Sequence, residues 1–133
     1  MSDRVEKSEE EWCETLSSEQ YSVLREGATE PAYSGAYWNC DRPGTYHCAG
    51  CGQALFAAAD KALATSGWPC FTRPIAQGAV QPRLDVSHGM VRTEVLCTRC
   101  GGHLGHLFED DPEPGQERYS VNSAALRLVE FRQ

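Results

Sequence analysis

Apolar and polar positions change rhythm once along this chain. Over the first 27 residues they recur at helical spacing. Trp12 and Leu16 stand four apart on one face, and Ser8 with Glu11 has the spacing of a capping box. A second helix is predicted to begin after Ser17, whose box partner is Gln20; it carries Tyr21 and Leu24 on one face and ends at Gly27. "GATEPAYSGAYWNCDRPG" (27–44) is turn-rich. Beyond it the apolar stretches are short and separated by turns: "TYHC", "ALF", "RLDVS", "MVRTEVLC", "HLGHLFE", "RYSVNS" and "LRLVEF". Their β-branched and aromatic content predicts a mainly β, antiparallel fold behind two N-terminal helices. The long connection from Ala57 to Arg83 holds Gly67, Pro69, Pro74, Gly78 and Pro82. A connection of that length is usually functional or locally anchored.

At 133 residues the chain has the size of one domain, 1–133, with a helical segment at 1–27 and a β core at 44–133. The net charge of −7 argues against a nucleic-acid partner, which requires a clustered basic face. The acidic runs "EKSEEEWCE" and "EDDPEPGQE" read as solvated surface. No apolar run reaches the roughly 20 residues of a membrane span, and the first residues lack a secretory signal. A cytoplasmic, monomeric protein is expected. Seven cysteines in such a chain point to metal binding or redox chemistry rather than disulfides.

Four of those cysteines have metal spacing. "CAGC" sets Cys48 three positions before Cys51, "CTRC" does the same for Cys97 and Cys100, and glycine follows each pair. Each tight turn aims two thiolates at one ion, and two such turns complete a tetrahedral zinc shell with no position left for substrate. Its expected role is folding energy: the ion pins two hairpins that are distant in sequence.

Three further stretches carry chemistry-bearing side chains: "SGWPCF" with Trp68, "GGHLGHLFED" with His103 and His106, and "ERYSVNSAAL". Each has a plainer reading. A Trp beside Gly and Pro commonly anchors a loop, paired histidines commonly make structural hydrogen bonds, and His88 stands alone at a turn.

Taken together, the segments "GATEP", "YHCAGCG", "SGWP", "SHGM", "CTRCGGHLGHLFED" and "ERYSVNSAAL" occur in an order and spacing that resembles the methionine-R-sulfoxide reductase (MsrB) family from about Leu24 onward. The resemblance implies a β-tent of two antiparallel sheets and reduction of methionine-R-sulfoxide, free or in proteins. A cysteine thiolate attacks the sulfoxide sulfur, methionine leaves, and the resulting sulfenic acid is recycled by a second thiol and thioredoxin. Oxidised methionine is a common lesion with dedicated repair enzymes. Carried onto this chain, the resemblance places His103 and His106 as proton donors, with His106 the better candidate because an imidazole can deliver a proton near neutrality. It places Trp68 against the S-methyl group and Asn122 beside the oxygen or the attacking atom. Arg118 is placed to lower a neighbouring thiol's pKa, and Asp110 to orient a histidine or pair with that arginine. Glu30, Pro31 and Tyr119 are expected at the substrate.

The departure from the family pattern is at the nucleophile, where position 120 is serine. A hydroxyl keeps nearly the thiol's size but barely ionises at neutral pH and cannot pass through a sulfenic state. The chain as written is therefore expected to bind substrate without reducing it. An engineered Cys-to-Ser change and a natural inactive relative both fit, and the intact remainder of the site favours the first. The usual places for a resolving cysteine hold Ser34 and Ser66, which leaves Cys13, Cys40 and Cys70. Cys40 and Cys70 lie in loops expected to flank the site. The rival reading is a non-catalytic zinc-ribbon module that binds a protein partner. It predicts no convergence of Trp68, His106, Asn122 and Ser120 on one pocket.

Overall fold

The computed structural model describes residues 5–62, 67–86, 89–108 and 117–131. Two short helices come first, α1 (Glu9–Thr15) and α2 (Ser18–Glu26). Both open on the reciprocal caps read from the sequence: Ser8 Oγ accepts from the Glu11 N–H at 3.2 Å while Glu11 Oε1 accepts from the Ser8 N–H, and Ser17 with Gln20 repeats the pattern. Gly27 ends α2 in the left-handed region at φ 73°. Residues 5–8 are not helical, and residues 1–4 of the predicted helical segment lie outside the described residues. The buried face of α2 is Val23 with Leu24; Tyr21 packs at its margin, half-exposed.

Among the described residues, eight strands form two antiparallel sheets. The smaller has the order β2-β1-β8, from β1 (Gly44–Cys48), β2 (Ala54–Ala57) and β8 (Leu126–Glu130). The larger has the order β3-β7-β6-β5-β4, from β3 (Cys70–Phe71), β4 (Val80–Asp85), β5 (Arg92–Cys97), β6 (His103–Phe108) and β7 (Arg118–Val121). Tyr46, Leu55, Phe56, Phe71, Val95, Leu104 and Val121 are fully buried in one core cluster, in which Phe56 and Phe71 stack at 4.4 Å between centroids. The helices close the cysteine end. A Cβ on Gly50 or Gly102 would fall 3.3 Å from Trp12 or 2.9 Å from Leu24, so those two helical anchors lie directly on both knuckles. Among the described residues no helix is long and apolar enough to cross a membrane.

Three boundaries differ from the sequence expectation. β4 begins at Val80 rather than Arg83 and runs through Pro82, which an edge strand tolerates because a proline there gives up no ladder hydrogen bond on its outer side. The long connection is anchored by a turn at Ala58–Asp60, a bridge from Lys61 to Phe71, and β3, whose two residues carry no periodicity. β7 stops at Val121, because residues 123–125 turn into one round of 3₁₀-helix.

β6 and β7 approach closely at Gly105. A Cβ there would stand 1.9 Å from the Ser120 carbonyl oxygen, with backbone rather than a yielding side chain in the way. Gly105→Ala is expected to force the two strands apart and lower the unfolding free energy by about 3 kcal/mol or more, read from the urea midpoint. An unchanged midpoint would contradict this account of the strand spacing.

Candidate functional site

The two knuckles meet where the sheets meet. Cys48 and Cys51 flank the β1–β2 turn, Cys97 and Cys100 the β5–β6 turn, and all four sulfur atoms lie within 4.8 Å of one another. Cys48 Sγ is 3.7 Å from Cys100 Sγ, and Cys51 Sγ is 3.5 Å from Cys97 Sγ. A zinc ion with thiolates at about 2.3 Å has sulfur atoms about 3.8 Å apart at the corners of its tetrahedron. The donor set therefore fits one structural zinc, held by residues from both sheets.

A second constellation lies across the larger sheet. Its registers align Arg83 with Glu94, Glu94 with His106, His106 with Ser120, and Ser120 with Cys70. Residues directly opposite in antiparallel strands project to the same face, so these five side chains form one row spanning all five strands. Two positions along, Asp85 pairs with Arg92 and Phe108 with Arg118, a second row on that face. β6 contains a bulge: Val95 pairs with Gly105 and Leu96 with His103, so Leu104 is the extra residue. Without it, histidines three apart would point to opposite faces. With it, the rings of His103 and His106 lie 5.5 Å apart.

One pocket of about 200 Å³ opens on this face, and Trp68, His106, Arg118, Ser120 and Asn122 are in its lining, with Arg92 and Phe108 beside them. Ser120 is half-buried, at the centre of β7. His106 is buried with Nε2 3.1 Å from Asp85 Oδ2, and Arg92 Nη2 donates to the same oxygen at 3.4 Å. His103 stands one step away from the pocket, its Nδ1 2.5 Å from Glu94 Oε2. Burial lowers the His103 pKa below its ordinary value, against the raising effect of Glu94. Desolvation therefore works toward the neutral imidazole at His103, while the Glu94 contact works against it.

The other side of the pocket is framed by the Glu30 loop. The Glu30 carboxylate accepts from the backbone N–H groups of Ser123 at 2.8 Å and Ala124 at 2.9 Å, which is why β7 ends in a turn. The Glu30 N–H donates to Asn122 Oδ1, and its carbonyl accepts from Trp68 Nε1, both at 2.9 Å. Asn122 Nδ2 and backbone N both donate to the Leu104 carbonyl exposed by the bulge. Gly67, at φ +95°, lies so close to Ala32 that a Cβ would be 2.6 Å away, and its carbonyl accepts from the Tyr33 N–H at 2.8 Å. The Trp68 loop is thus pinned to the Glu30 loop by backbone contacts.

Residues 16–130 match the family model described as the SelR domain. A peptide methionine sulfoxide reductase MsrB of Bradyrhizobium diazoefficiens is 56% identical over 126 residues, covering 95% of this chain and 91% of that protein. An MsrB of Leptospira interrogans is 49% identical over 128 residues, covering 96% and 98%. The chain belongs to the MsrB family of SelR-domain proteins. The Mis18 "Yippee-like" domain shares the fold alone, with a TM-score of 0.55 and 16% identity over 69% of this chain and 100% of that domain.

Within this MsrB-family site, several expected residues take other places. Glu30 is buried and its carboxylate is fully engaged with backbone, so it frames the pocket rather than lining it; Pro31 is exposed and also outside the lining. Tyr119 alternates to the opposite face of β7 from Ser120 and packs 5.8 Å from Phe56 in the core. Asp110 and His88 lie outside the described residues, as does Ser66; the carboxylate on His106 is Asp85. Asp85, Glu94, Arg92 and Phe108 escaped the sequence reading. The strand "RTEVLC" offered charged residues at alternate positions, Arg92 and Glu94, which was the one available signal.

Removal of the metal with a chelator is expected to abolish most of the β-sheet circular dichroism and the cooperative thermal transition, and zinc alone should restore both. A metal-free protein that melts at the same temperature would remove the structural role of the thiolate cluster.

Proposed function

We propose that this chain carries the substrate site of a peptide-methionine (R)-S-oxide reductase, with residue 120 at the nucleophile's position. The observation that carries the reading is the meeting of Trp68, His106, Arg118, Ser120 and Asn122 in one small pocket although they come from three separate stretches of sequence. The S-methyl group packs against the indole of Trp68 and the ring of Phe108. The sulfoxide oxygen, which becomes a hydroxyl as methionine leaves, faces His106, whose ring is held by Asp85. Arg92 and Arg118 make the pocket electropositive and favour an ionised group at position 120. Asn122 acts through position: its amide ties the end of β7 to the Leu104 bulge and the Glu30 loop.

As written, position 120 carries a hydroxyl, and the chain binds the sulfoxide without reducing it. Ser120→Cys supplies a thiolate that attacks sulfur and is left as sulfenic acid. Cys70, directly opposite Ser120 on β3, is the thiol we assign to its recycling. Opposed residues of an antiparallel pair have Cα atoms about 4.5–5.5 Å apart, inside the range a disulfide spans. Of the other two candidates, Cys40 lines a different cavity and Cys13 is exposed on α1. Thioredoxin in the cytoplasm is the proposed reductant of that disulfide, acting on a monomer. The second reading, a non-catalytic binding module, is favoured by one observation, the serine itself.

The Ser120→Cys protein is expected to reduce the R epimer and not the S epimer of a methionine sulfoxide peptide with dithiothreitol, while the parent stays at background. Adding His106→Asn should then cost on the order of 100-fold in kcat/KM. Absence of turnover in a folded, zinc-loaded Ser120→Cys protein would leave the binding-module reading in place. For recycling, a disulfide between Cys70 and the thiol introduced by Ser120→Cys is expected after one turnover. Adding Cys70→Ser should abolish thioredoxin-supported turnover while sparing the first turnover. Undiminished thioredoxin turnover would exclude Cys70.

A further inference from the structure

Cys40 lies away from the sulfoxide pocket, in the wall of a separate cavity of about 610 Å³ that also takes in Trp38, Asp41, Arg42, Ala58 and Lys61. Arg42 Nε donates to its sulfur at 3.4 Å. The Tyr46 hydroxyl is fully buried and has no hydrogen-bond partner among the described residues, and with Arg42 it acts to favour the charged form of Cys40. Burial raises the Tyr46 pKa, so this hydroxyl stays protonated and can only be a useful partner to an acceptor. A neutral thiol is a weak acceptor and a thiolate a strong one. The environment is therefore built for the anion.

The surrounding charges agree. Lys61 Nζ donates to the carbonyls of Tyr37 and Cys40, both at 2.5 Å, which fixes an ammonium group beside the loop. Arg42 is held by Glu130 through Nη1 at 3.0 Å, leaving its Nε directed at the sulfur. Asp41 is the opposing charge in the cavity wall. Partial burial works to raise the Cys40 pKa, but the donors from Arg42 and Tyr46 and the Arg42 charge outweigh it, and the net direction is down. Cys40 is only half-buried and open to the cavity, whereas Cys70 is closed off and the four knuckle cysteines belong to the zinc.

We propose that Cys40 is a second thiol site, in which its sulfur exchanges with a low-molecular-weight disulfide admitted to the Arg42–Lys61 cavity. The step is balanced. The Cys40 thiolate attacks one sulfur of the small disulfide, the mixed disulfide forms, and the second sulfur departs as a thiolate that takes up a proton from water. No electrons enter or leave beyond those of the disulfide bond exchanged. The proposal is independent of the reductase reading, since the sulfoxide pocket plays no part in it.

The test treats the zinc-loaded parent protein with oxidised glutathione near neutral pH and follows each cysteine by peptide mass mapping. Cys40 is expected to acquire the glutathionyl adduct several-fold faster than Cys13, the exposed thiol on α1. Arg42→Ala and Tyr46→Phe should each slow the Cys40 reaction several-fold near pH 7, with the difference closing at alkaline pH, where every thiol is ionised. Tyr46→Phe keeps the buried ring, so it separates loss of the donor from loss of the fold. Reaction of Cys40 no faster than Cys13, or rate–pH profiles that the two variants leave unmoved, would overturn the proposal.

Discussion

Among the described residues the two sheets share no hydrogen-bonded ladder, and the four thiolates are the strongest constraint that holds them in one orientation. Each knuckle is the turn of a hairpin, one in each sheet, so an ion at their meeting point sets where β1 and β6 stand relative to each other. The helices reinforce the same junction. Trp12 and Leu24 rest on the knuckle glycines, and Arg25 donates to the Cys100 carbonyl at 2.9 Å. A structural zinc contributes folding energy that a domain of this size would otherwise need from a larger core. The pocket inherits its precision from that junction, because β6 leaves the second knuckle and reaches His106 within six residues.

From there the site is built by strand pairing rather than by loops. One row of residues crosses all five strands, and each member is positioned by the backbone of its neighbours. The bulge at Leu104 does two things at once: it brings both histidines to one face, and it turns a carbonyl toward Asn122. The Glu30 carboxylate then closes the far end by capturing two N–H groups of the turn after β7. A buried carboxylate needs such donors to offset its lost hydration. The consequence is that Glu30, Asn122 and Trp68 form one hydrogen-bonded frame around a pocket whose polar groups come from the sheet.

Much of this was legible in the chain because the signals were local. Capping boxes span four residues, and Ser8, Ser17 and Gly27 mark the helix ends where the structure has them. The CxxC spacing is fixed by the geometry of a turn around an ion, so Cys48, Cys51, Cys97 and Cys100 could be assigned without the fold. Ser120 and Arg118, two apart on a strand, were readable as sharing a face. What was not legible depended on register. Nothing in "GWPCF" announces that two residues of it pair with β7. Asp85 and Glu94 become partners of the histidines only once β4, β5 and β6 are aligned and the bulge is counted. Tyr119 illustrates the converse: the family resemblance placed it at the substrate, whereas the period of two sends it into the core.

The charge pattern around residue 120 bears on the serine there. Two arginines line a pocket of about 200 Å³ together with Trp68, His106, Phe108 and Asn122, and one of them, Arg92, also pairs with Asp85. Positive groups placed so close favour an anion at the centre, and their effect grows as water is excluded. A thiol responds to such a field by ionising near neutrality. A hydroxyl, whose ionisation lies far above that range, does not, and it gains only ordinary hydrogen bonds from the same neighbours. On the proposed reading the arrangement suits a nucleophile that changes charge, and serine fits its volume without answering its electrostatics. Cys40 supplies the contrast within the same molecule, since there the donors, the cations and an ionisable sulfur are all present together.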